Sequence, residues 1–164
     1  HFKKNINIIY EPDILDTGGG VKNAIRLFNN NNFLVTNSDI FWKKNNINDV
    51  KKLIHQIDKI KFCLLLLSNI KGTYGINKKD GDFIFKNNYL QRWNKNDPII
   101  FYSGLQIVNP IIFKGCNKIK FSMNEIWDNL IKKKKLHGII MKSNLFHIGD
   151  KTTYNKFNRN KILD

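Results

Sequence analysis

The sequence has 164 residues, of which 41% are hydrophobic, and a formal net charge of +15. This length fits one domain, and the hydrophobic content is too high for a disordered chain. No apolar run approaches the roughly 18 residues of a membrane span, so we expect no membrane partner. The two cysteines have no metal-binding spacing, and the chain is typical of a cytoplasmic protein.

The positive charge has two interpretations. It suits an RNA-binding protein, but lysine, asparagine and isoleucine are all over-used, as AT-rich coding also produces. Arginine, which nucleic-acid surfaces favour for its bidentate fork, stands only at Arg26, Arg92 and Arg159. We therefore expect no nucleic-acid partner and keep a basic RNA-binding protein as an alternative.

Apolar spacing predicts alternating strands and helices in the first part of the chain. The predicted elements are a strand over residues 6–10, a loop over 11–20, a helix over 21–28, a strand over 33–36, a helix over 47–57 and a strand over 62–67. Short apolar strands of this kind are typically buried on both faces. The alternation indicates an α/β domain with a parallel sheet covered by helices.

After residue 72 the pattern changes to an antiparallel lobe. We predict a hairpin over residues 82–93 with its turn at Asn87 and Asn88, and a strand over 99–108. Gly104 inside that strand indicates a bulge or the close approach of a ligand. Ser122 and Glu125 predict a capping box that begins a helix. A strand over 136–141, a further segment over 144–149 and a polar helix complete a single domain, residues 1–164.

Two groups of residues stand where ligands bind in α/β sheets, after the carboxyl ends of strands, and a third candidate group lies at residues 146–150. The glycine run 18–20 permits either a flat ligand on the main chain or a tight turn before a helix. Asp39 in Asn37-Ser38-Asp39 suits Mg²⁺, although such residues also cap helices. His147 in FHIGD follows an aromatic residue, and such a histidine is more often a packing residue than a ligand.

Taken in order, six segments resemble the sugar nucleotidyltransferases, and most closely their short bacterial branch of N-acetylmuramate-1-phosphate uridylyltransferases and mannose-1-phosphate guanylyltransferase-like proteins. The segments are LDTGGG, FLVTNSD, GDF, FYSGLQIVNPIIF, FSMNEIWD and FHIGD. The resemblance implies a Rossmann-like three-layer fold with a mostly parallel sheet. It also implies a Mg²⁺-dependent reaction of an NTP (UTP or GTP) with a sugar 1-phosphate, which gives an NDP-sugar and pyrophosphate.

The resemblance assigns roles to individual residues. Asp39 is the implied catalytic metal ligand, and His147 stands where the family usually has a second metal-binding aspartate. The implied nucleotide-binding residues are Thr17, Gly18, Gly19, Gly20 and Asn37, and the implied sugar-binding residues are Gly81, Asp82, Ser103 and Gly104. A neutral imidazole suits Mg²⁺ less well than a carboxylate does.

The family's glycine-rich phosphate loop, with its arginine and a following lysine, has no counterpart in residues 1–164. We therefore expect the chain to correspond to the C-terminal part of a domain, roughly two thirds to three quarters of it, without the first strand. Such a chain would have little activity by itself. The alternative is a non-catalytic or regulatory module of the same fold that binds a nucleotide sugar.

Overall fold

Four α-helices and nine β-strands form within residues 6–86 and 89–163, the residues that this computed structural model describes. The strands are β1 (Phe33–Thr36), β2 (Ile40–Phe41), β3 (Cys63–Asn69), β4 (Thr73–Tyr74), β5 (Phe83–Lys86), β6 (Tyr89–Arg92), β7 (Ile100–Val108), β8 (Leu136–Ile140) and β9 (Leu145–His147). The helices are α1 (Asp16–Ala24), α2 (Ile47–Ile54), α3 (Met123–Lys132) and α4 (Lys151–Arg159). The turn predicted at Asn87 and Asn88 lies outside the described residues. None of the helices in these ranges is long and apolar enough to cross a membrane.

Strand β7 is central to the main sheet. The strand order is β6-β5-β7-β3-β8, and β1 pairs with the carboxyl-terminal half of β7. β1 and β3 run antiparallel to β7, and β8 runs parallel to β3, so β1, β3 and β8 point the same way. The α/β prediction is confirmed. The sheet is mixed and not mostly parallel, however, because β7 lies between two of the parallel strands.

Helices cover both faces of the main sheet. Along β3, Leu65 belongs to the apolar cluster under α1 and α3, whereas Leu64 and Leu66 belong to the cluster under α2. Trp127 of α3 and Leu53 of α2 are buried in these two clusters. Each buried leucine contributes about 1.5–3 kcal/mol relative to an exposed one. The arrangement is the expected three-layer sandwich.

A second sheet, in the order β2-β9-β4, packs beside α4. Phe146 of β9 stacks on Tyr74 of β4 with a centroid distance of 5.2 Å, and it meets Phe157 of α4 edge-on at 5.9 Å. β2 and β9 run antiparallel, with Ile40 opposite His147. This small sheet thereby brings the segment that follows β1 next to β9 and α4.

Strand β7 carries the bulge that Gly104 predicted. Leu65 and Leu67 of β3 face Gln106 and Tyr102 of β7, so three residues of β7 stand opposite one residue of β3. Gly104 has φ +84°, which lies in the left-handed region that favours glycine. The bulge bends β7 next to the end of β1.

Residues 6–10 do not form the predicted strand. Ile8 and Tyr10 are 90% and 82% exposed, because none of the described strands pairs with this segment. An apolar run forms a strand only where a neighbour accepts and donates its backbone hydrogen bonds. β1 has the predicted bounds, but within the described residues it is paired along one edge only, and Leu34 is 36% exposed. Its predicted burial on both faces is therefore wrong.

The glycine run lies inside helix α1 and not in the predicted loop. The backbone N–H groups of Gly18 and Gly19 donate to the carbonyl oxygen of Phe121 at 2.9 and 3.1 Å. A Cβ atom at Gly19 would stand 2.3 Å from the carbonyl oxygen of Ile119. The glycines therefore allow α1 to pack directly against the backbone that precedes α3.

Gly19→Ala is expected to lower the free energy of unfolding by about 2 kcal/mol, because the new methyl group meets backbone that cannot move freely. Gly20→Ala is the matched control. Its Cβ would lie 3.1 Å from the flexible carboxylate of Glu11, and alanine favours the helix by up to about 1 kcal/mol. Urea unfolding measures both variants, and equal effects would contradict this account of the packing.

A buried carboxylate fixes the connection between β8 and β9. Asp49 of α2 is 6% exposed. It accepts hydrogen bonds from the backbone N–H groups of Lys142 (3.0 Å) and Ser143 (2.9 Å) and from the Ser143 hydroxyl (2.6 Å). Asn46 donates to the same hydroxyl and to the Asn144 carbonyl oxygen. Burial alone would raise the pKa of Asp49, but the bonds from Ser143 and Lys142 lower it below its usual value.

Asp49→Asn is expected to destabilise the protein at neutral pH by about 2 kcal/mol, because hydrogen bonds to a charged acceptor are lost. Because the pKa of Asp49 is lower in the folded state, the ionised carboxylate stabilises the fold at pH values above its unfolded-state pKa, near 3.8. This stability is lost as the pH falls through the lower pKa of the folded state. The difference between wild type and variant should therefore shrink below about pH 4. Unfolding curves recorded at pH 7 and pH 3 test this, and a pH-independent difference would be the contrary result.

Candidate active site

A cavity of about 590 Å³ opens beside the carboxyl end of β1 and the bulge of β7. Its walls come from α1, the turn after β1, strand β7, the start of α3 and strand β9. The lining includes Thr17, Asn37, Asp82, Tyr102, Gly104, Gln106, Trp127 and His147. Ligands of α/β sheets bind at the carboxyl ends of strands, so this cavity is the candidate site.

The turn after β1 is tied to the bulge of β7. The N–H of Asn37 donates to the carbonyl oxygen of Gly104 at 2.8 Å. A Cβ atom at Gly104 would stand 2.5 Å from the side chain of Ile40. Gly104 thus allows the close approach of the turn after β1, and it places Asn37 at the cavity wall.

Asp39 and His147 form a pair at the end of this turn. His147 Nε2 lies 3.2 Å from Asp39 Oδ2, and the two side chains are 29% and 40% exposed respectively. Strand pairing produces this contact, because Ile40 stands opposite His147 and the N–H of Ile148 donates to the Asp39 carbonyl oxygen at 2.7 Å. Asp39 Oδ1 and His147 Nδ1 are buried without a hydrogen-bond partner among the described residues. His147 lines the cavity and Asp39 stands behind it.

Lys78 and Asp82, which also line the cavity, form an ion pair. Asp82 also accepts a hydrogen bond from the N–H of Tyr102 at 2.9 Å. Lys78 Nζ lies 5.4 Å from the ring centroid of Phe101. These contacts hold one acidic and one basic side chain where a polar ligand could reach them.

The cavity floor is aromatic, with one buried amide. Trp127 Nε1 donates to Gln106 Oε1 at 3.2 Å, and the Cys63 thiol donates to the same oxygen at 3.3 Å. The Tyr102 ring packs edge-on against Trp127 with a centroid distance of 4.9 Å. Burial raises the pKa of Tyr102 well above its usual value, so its hydroxyl stays protonated at neutral pH.

Sequence reasoning missed Lys78, Tyr102, Gln106 and Trp127. The helical spacing of Trp127 on α3 is that of a core residue, and the side chain is indeed buried. Gln106 offered a signal, because a polar residue inside the apolar run of β7 is 2% exposed and must have hydrogen-bond partners.

The structure brings Thr17, Asn37, Asp82, Gly104 and His147 to one cavity. The other predicted site residues do not line it: these are Gly18, Gly19, Gly20, Asp39, Gly81 and Ser103. The N–H groups of Gly18 and Gly19 are bonded to the Phe121 carbonyl oxygen, so in this conformation they do not donate to a ligand. Gly81 packs against the Trp93 ring, and Ser103 is fully buried.

Thr17 Oγ1 accepts a hydrogen bond from the N–H of Met123 at 3.0 Å, which ties α1 to the first residue of α3. Ser122 caps the same helix as predicted and accepts from the N–H of Asn124 at 3.2 Å. Glu125 forms an ion pair with Lys118, so it does not close the predicted capping box. The α3 terminus at the cavity is thereby capped.

No protein-family model and no curated protein matches the sequence. The fold is similar to that of HddC from Yersinia pseudotuberculosis in complex with GMP-PN, with a TM-score of 0.69, 23% identity and coverage of 93% of this chain and 65% of that one. UTP-bound UGPase from Acinetobacter baumannii has a TM-score of 0.68 and 16% identity, with coverage of 93% of this chain and 58% of that one. The inositol-1-phosphate CTP transferase from T. maritima has a TM-score of 0.61 and 9% identity, with coverage of 85% of this chain and 58% of that one.

The chain shares a Rossmann-like α/β fold with these three structures. It spans 58–65% of the length of these three structures. Their names include different nucleotides, and a shared fold does not by itself identify a ligand.

Thr17→Val keeps the shape of the side chain but removes the acceptor for the Met123 N–H. We expect the free energy of unfolding to fall by about 1 kcal/mol, as for the loss of a helix cap. Thr152→Val, at an exposed position of α4, is the control and should change stability by less than about 0.5 kcal/mol. Chemical denaturation distinguishes the two, and an unaffected Thr17 variant would exclude the capping role.

Proposed function

We propose that this chain belongs to a Mg²⁺-dependent sugar nucleotidyltransferase, which joins an NTP to a sugar 1-phosphate and releases pyrophosphate. The proposal depends above all on one observation. Thr17, Asn37 and His147 line a single cavity, and Asp39 contacts His147. These four residues are thus close together in space, although they lie far apart in the chain.

The Asp39–His147 pair fits a divalent cation. Asp39 Oδ1 is buried without a partner among the described residues, and carboxylate oxygens are usual Mg²⁺ ligands. Within those residues no three His, Cys, Asp or Glu side chains are grouped as a complete metal site. Water and phosphate oxygens would therefore supply the other ligands. A cation held there would neutralise charge at the α-phosphate.

The reaction needs no covalent bond to the protein. An oxygen of the sugar 1-phosphate attacks the α-phosphorus in line, and the bond from that phosphorus to the bridging oxygen of pyrophosphate breaks. We place the nucleotide beside Thr17 and Asn37 and the sugar phosphate beside Lys78 and Asp82. The protein's contribution is then positioning and charge neutralisation. Direct contacts from Gly18 and Gly19 are not part of this proposal, since their N–H groups are bonded to Phe121.

The chain by itself is expected to turn over little substrate, because the phosphate loop that the resemblance implies has no counterpart in residues 1–164. A non-catalytic module that binds a nucleotide sugar is the second candidate. It is favoured by the lack of a phosphate-loop counterpart in residues 1–164 and by His147 in place of a carboxylate. An in-frame glycine-rich segment with arginine upstream in the gene would favour the enzyme over this module.

RNA binding has less support from the structure. Phe33, Phe101 and Phe113 are each 5% exposed or less, so these rings belong to the core and cannot stack on bases. Phe62 is only half-buried, and Lys135 Nζ lies 4.3 Å from its ring centroid. Weak or salt-insensitive binding to single-stranded RNA would agree with this assignment, whereas steep salt dependence would support the alternative.

Asp39→Asn tests the enzyme directly. A chain that carries the glycine-rich segment ahead of residue 1 is given Mg²⁺, each NTP and a panel of sugar 1-phosphates, and pyrophosphate release is measured. Loss of the carboxylate should lower kcat at least about 100-fold, because it removes several kcal/mol of charge stabilisation.

Asp58→Asn is the matched control, since Asp58 is exposed and outside the cavity. Its rate should equal that of the wild type. A nearly wild-type rate for the Asp39 variant would show that Asp39 is not part of the site.

Thermal shifts measured with UTP, GTP, CTP and dTTP would identify the bound nucleotide.

A further inference from the structure

The Asp39–His147 pair is incomplete as a structural contact. The two side chains carry four polar atoms, and a single contact of 3.2 Å joins two of them. The other two, Asp39 Oδ1 and His147 Nδ1, are buried with no partner among the described residues. A buried polar atom without a hydrogen bond costs about 1–3 kcal/mol.

The separation of the two side chains suits a shared metal ion. Ligand atoms about 2.1 Å from one ion stand roughly 3.0–3.4 Å apart in octahedral or tetrahedral geometry. His147 Nε2 and Asp39 Oδ2 are 3.2 Å apart. They could bind one ion with little movement of either side chain.

The backbone holds both residues in place. Ile40, next to Asp39, pairs with His147 in the β2–β9 ladder, and the N–H of Ile148 donates to the Asp39 carbonyl oxygen. Asp150 is the nearest further carboxylate in sequence, but it caps α4 through two hydrogen bonds to Thr153. The donor set from this chain is therefore one carboxylate oxygen and one imidazole nitrogen.

We propose that this donor set makes the site selective for Mn²⁺ over Mg²⁺. Mg²⁺ is a hard ion that takes oxygen ligands, whereas imidazole favours first-row transition metals. Replacing one oxygen ligand by nitrogen therefore weakens Mg²⁺ more than Mn²⁺. The inference deepens the proposed function: the metal's catalytic role rests on that function, while its binding and selectivity rest on the pair alone.

Paramagnetic broadening in ¹⁵N-labelled protein tests the selectivity without any assay of activity. Substoichiometric Mn²⁺ should broaden the amide signals of residues 39–41 and 146–148 first. A ten-fold excess of Mg²⁺ should leave this broadening in place, whereas Co²⁺ at a concentration near that of Mn²⁺ should reduce it. Broadening centred on other carboxylates, or its full reversal by Mg²⁺, would overturn the inference using wild-type protein alone.

His147→Asp provides the selectivity measurement. The variant has two carboxylates, and its preference for Mn²⁺ over Mg²⁺ should fall by about ten-fold or more. His55→Gln, at an exposed position, should leave the preference unchanged. An equal Mn²⁺/Mg²⁺ ratio in the wild type and the His147 variant would refute the role of the imidazole.

The two proposals fail separately. Mn²⁺ bound at residues 39 and 147, with no turnover of any NTP by the chain that carries the glycine-rich segment, would leave the metal site standing and overturn the enzyme. Turnover that depends on Asp39 but shows no selectivity for Mn²⁺ would support the enzyme and overturn the present inference.

Discussion

The bulge in β7 is the constraint on which the candidate site depends. β7 is bonded to β3 along one edge and to β1 and β5 along the other, so its path fixes the main sheet. At Gly104 the strand bends, and its carbonyl oxygen receives the N–H of Asn37. A side chain at that position would collide with Ile40 and push the turn away. The positions of Asn37, Asp39 and β2 all follow from this approach.

His147 reaches the same place along an independent route. The buried carboxylate of Asp49 binds the backbone of Lys142 and Ser143, and this fixes the connection from β8 to β9. β9 then pairs with β2 and places the imidazole against Asp39. Two separate parts of the chain thus meet at one pair of side chains. Most of the structure that supports the pair lies outside the cavity itself.

Local sequence patterns predicted the positions of strands and helices better than they predicted which strands pair with each other. The apolar runs of β1, β3 and β7 and the helical spacing of α2 and α3 were recognised because burial imposes these periods. The direction of β7 could not be predicted in this way, because a strand has the same apolar pattern whether it runs parallel or antiparallel to its neighbours. Residues 6–10 failed for a related reason: their pattern suits a strand, but no described strand pairs with them.

The glycine run and the Asp39–His147 pair show the same limit of sequence-based prediction at the candidate site. The resemblance assigns Gly18 and Gly19 to a ligand, but in the structure their lack of a side chain allows α1 to pack on residues 119–121. Asp39 and His147 were each visible as candidates, yet their contact depends on pairing between strands of two and three residues. Strands that short have no periodicity to detect. Only the family resemblance linked the two residues before the structure did.

The charge of the cavity differs from that of the whole chain. Although the net charge is +15, Lys78 is the sole lysine or arginine among the described residues that line the cavity, and it is already paired with Asp82. The lysines are therefore spread over other surfaces, where they raise the general attraction for anions without focusing it. A nucleoside triphosphate, with about four negative charges, needs closer compensation than one paired lysine supplies. This shortage makes a cation at Asp39 and further basic groups necessary parts of the proposed reaction, and it explains why the chain is expected to be weakly active by itself.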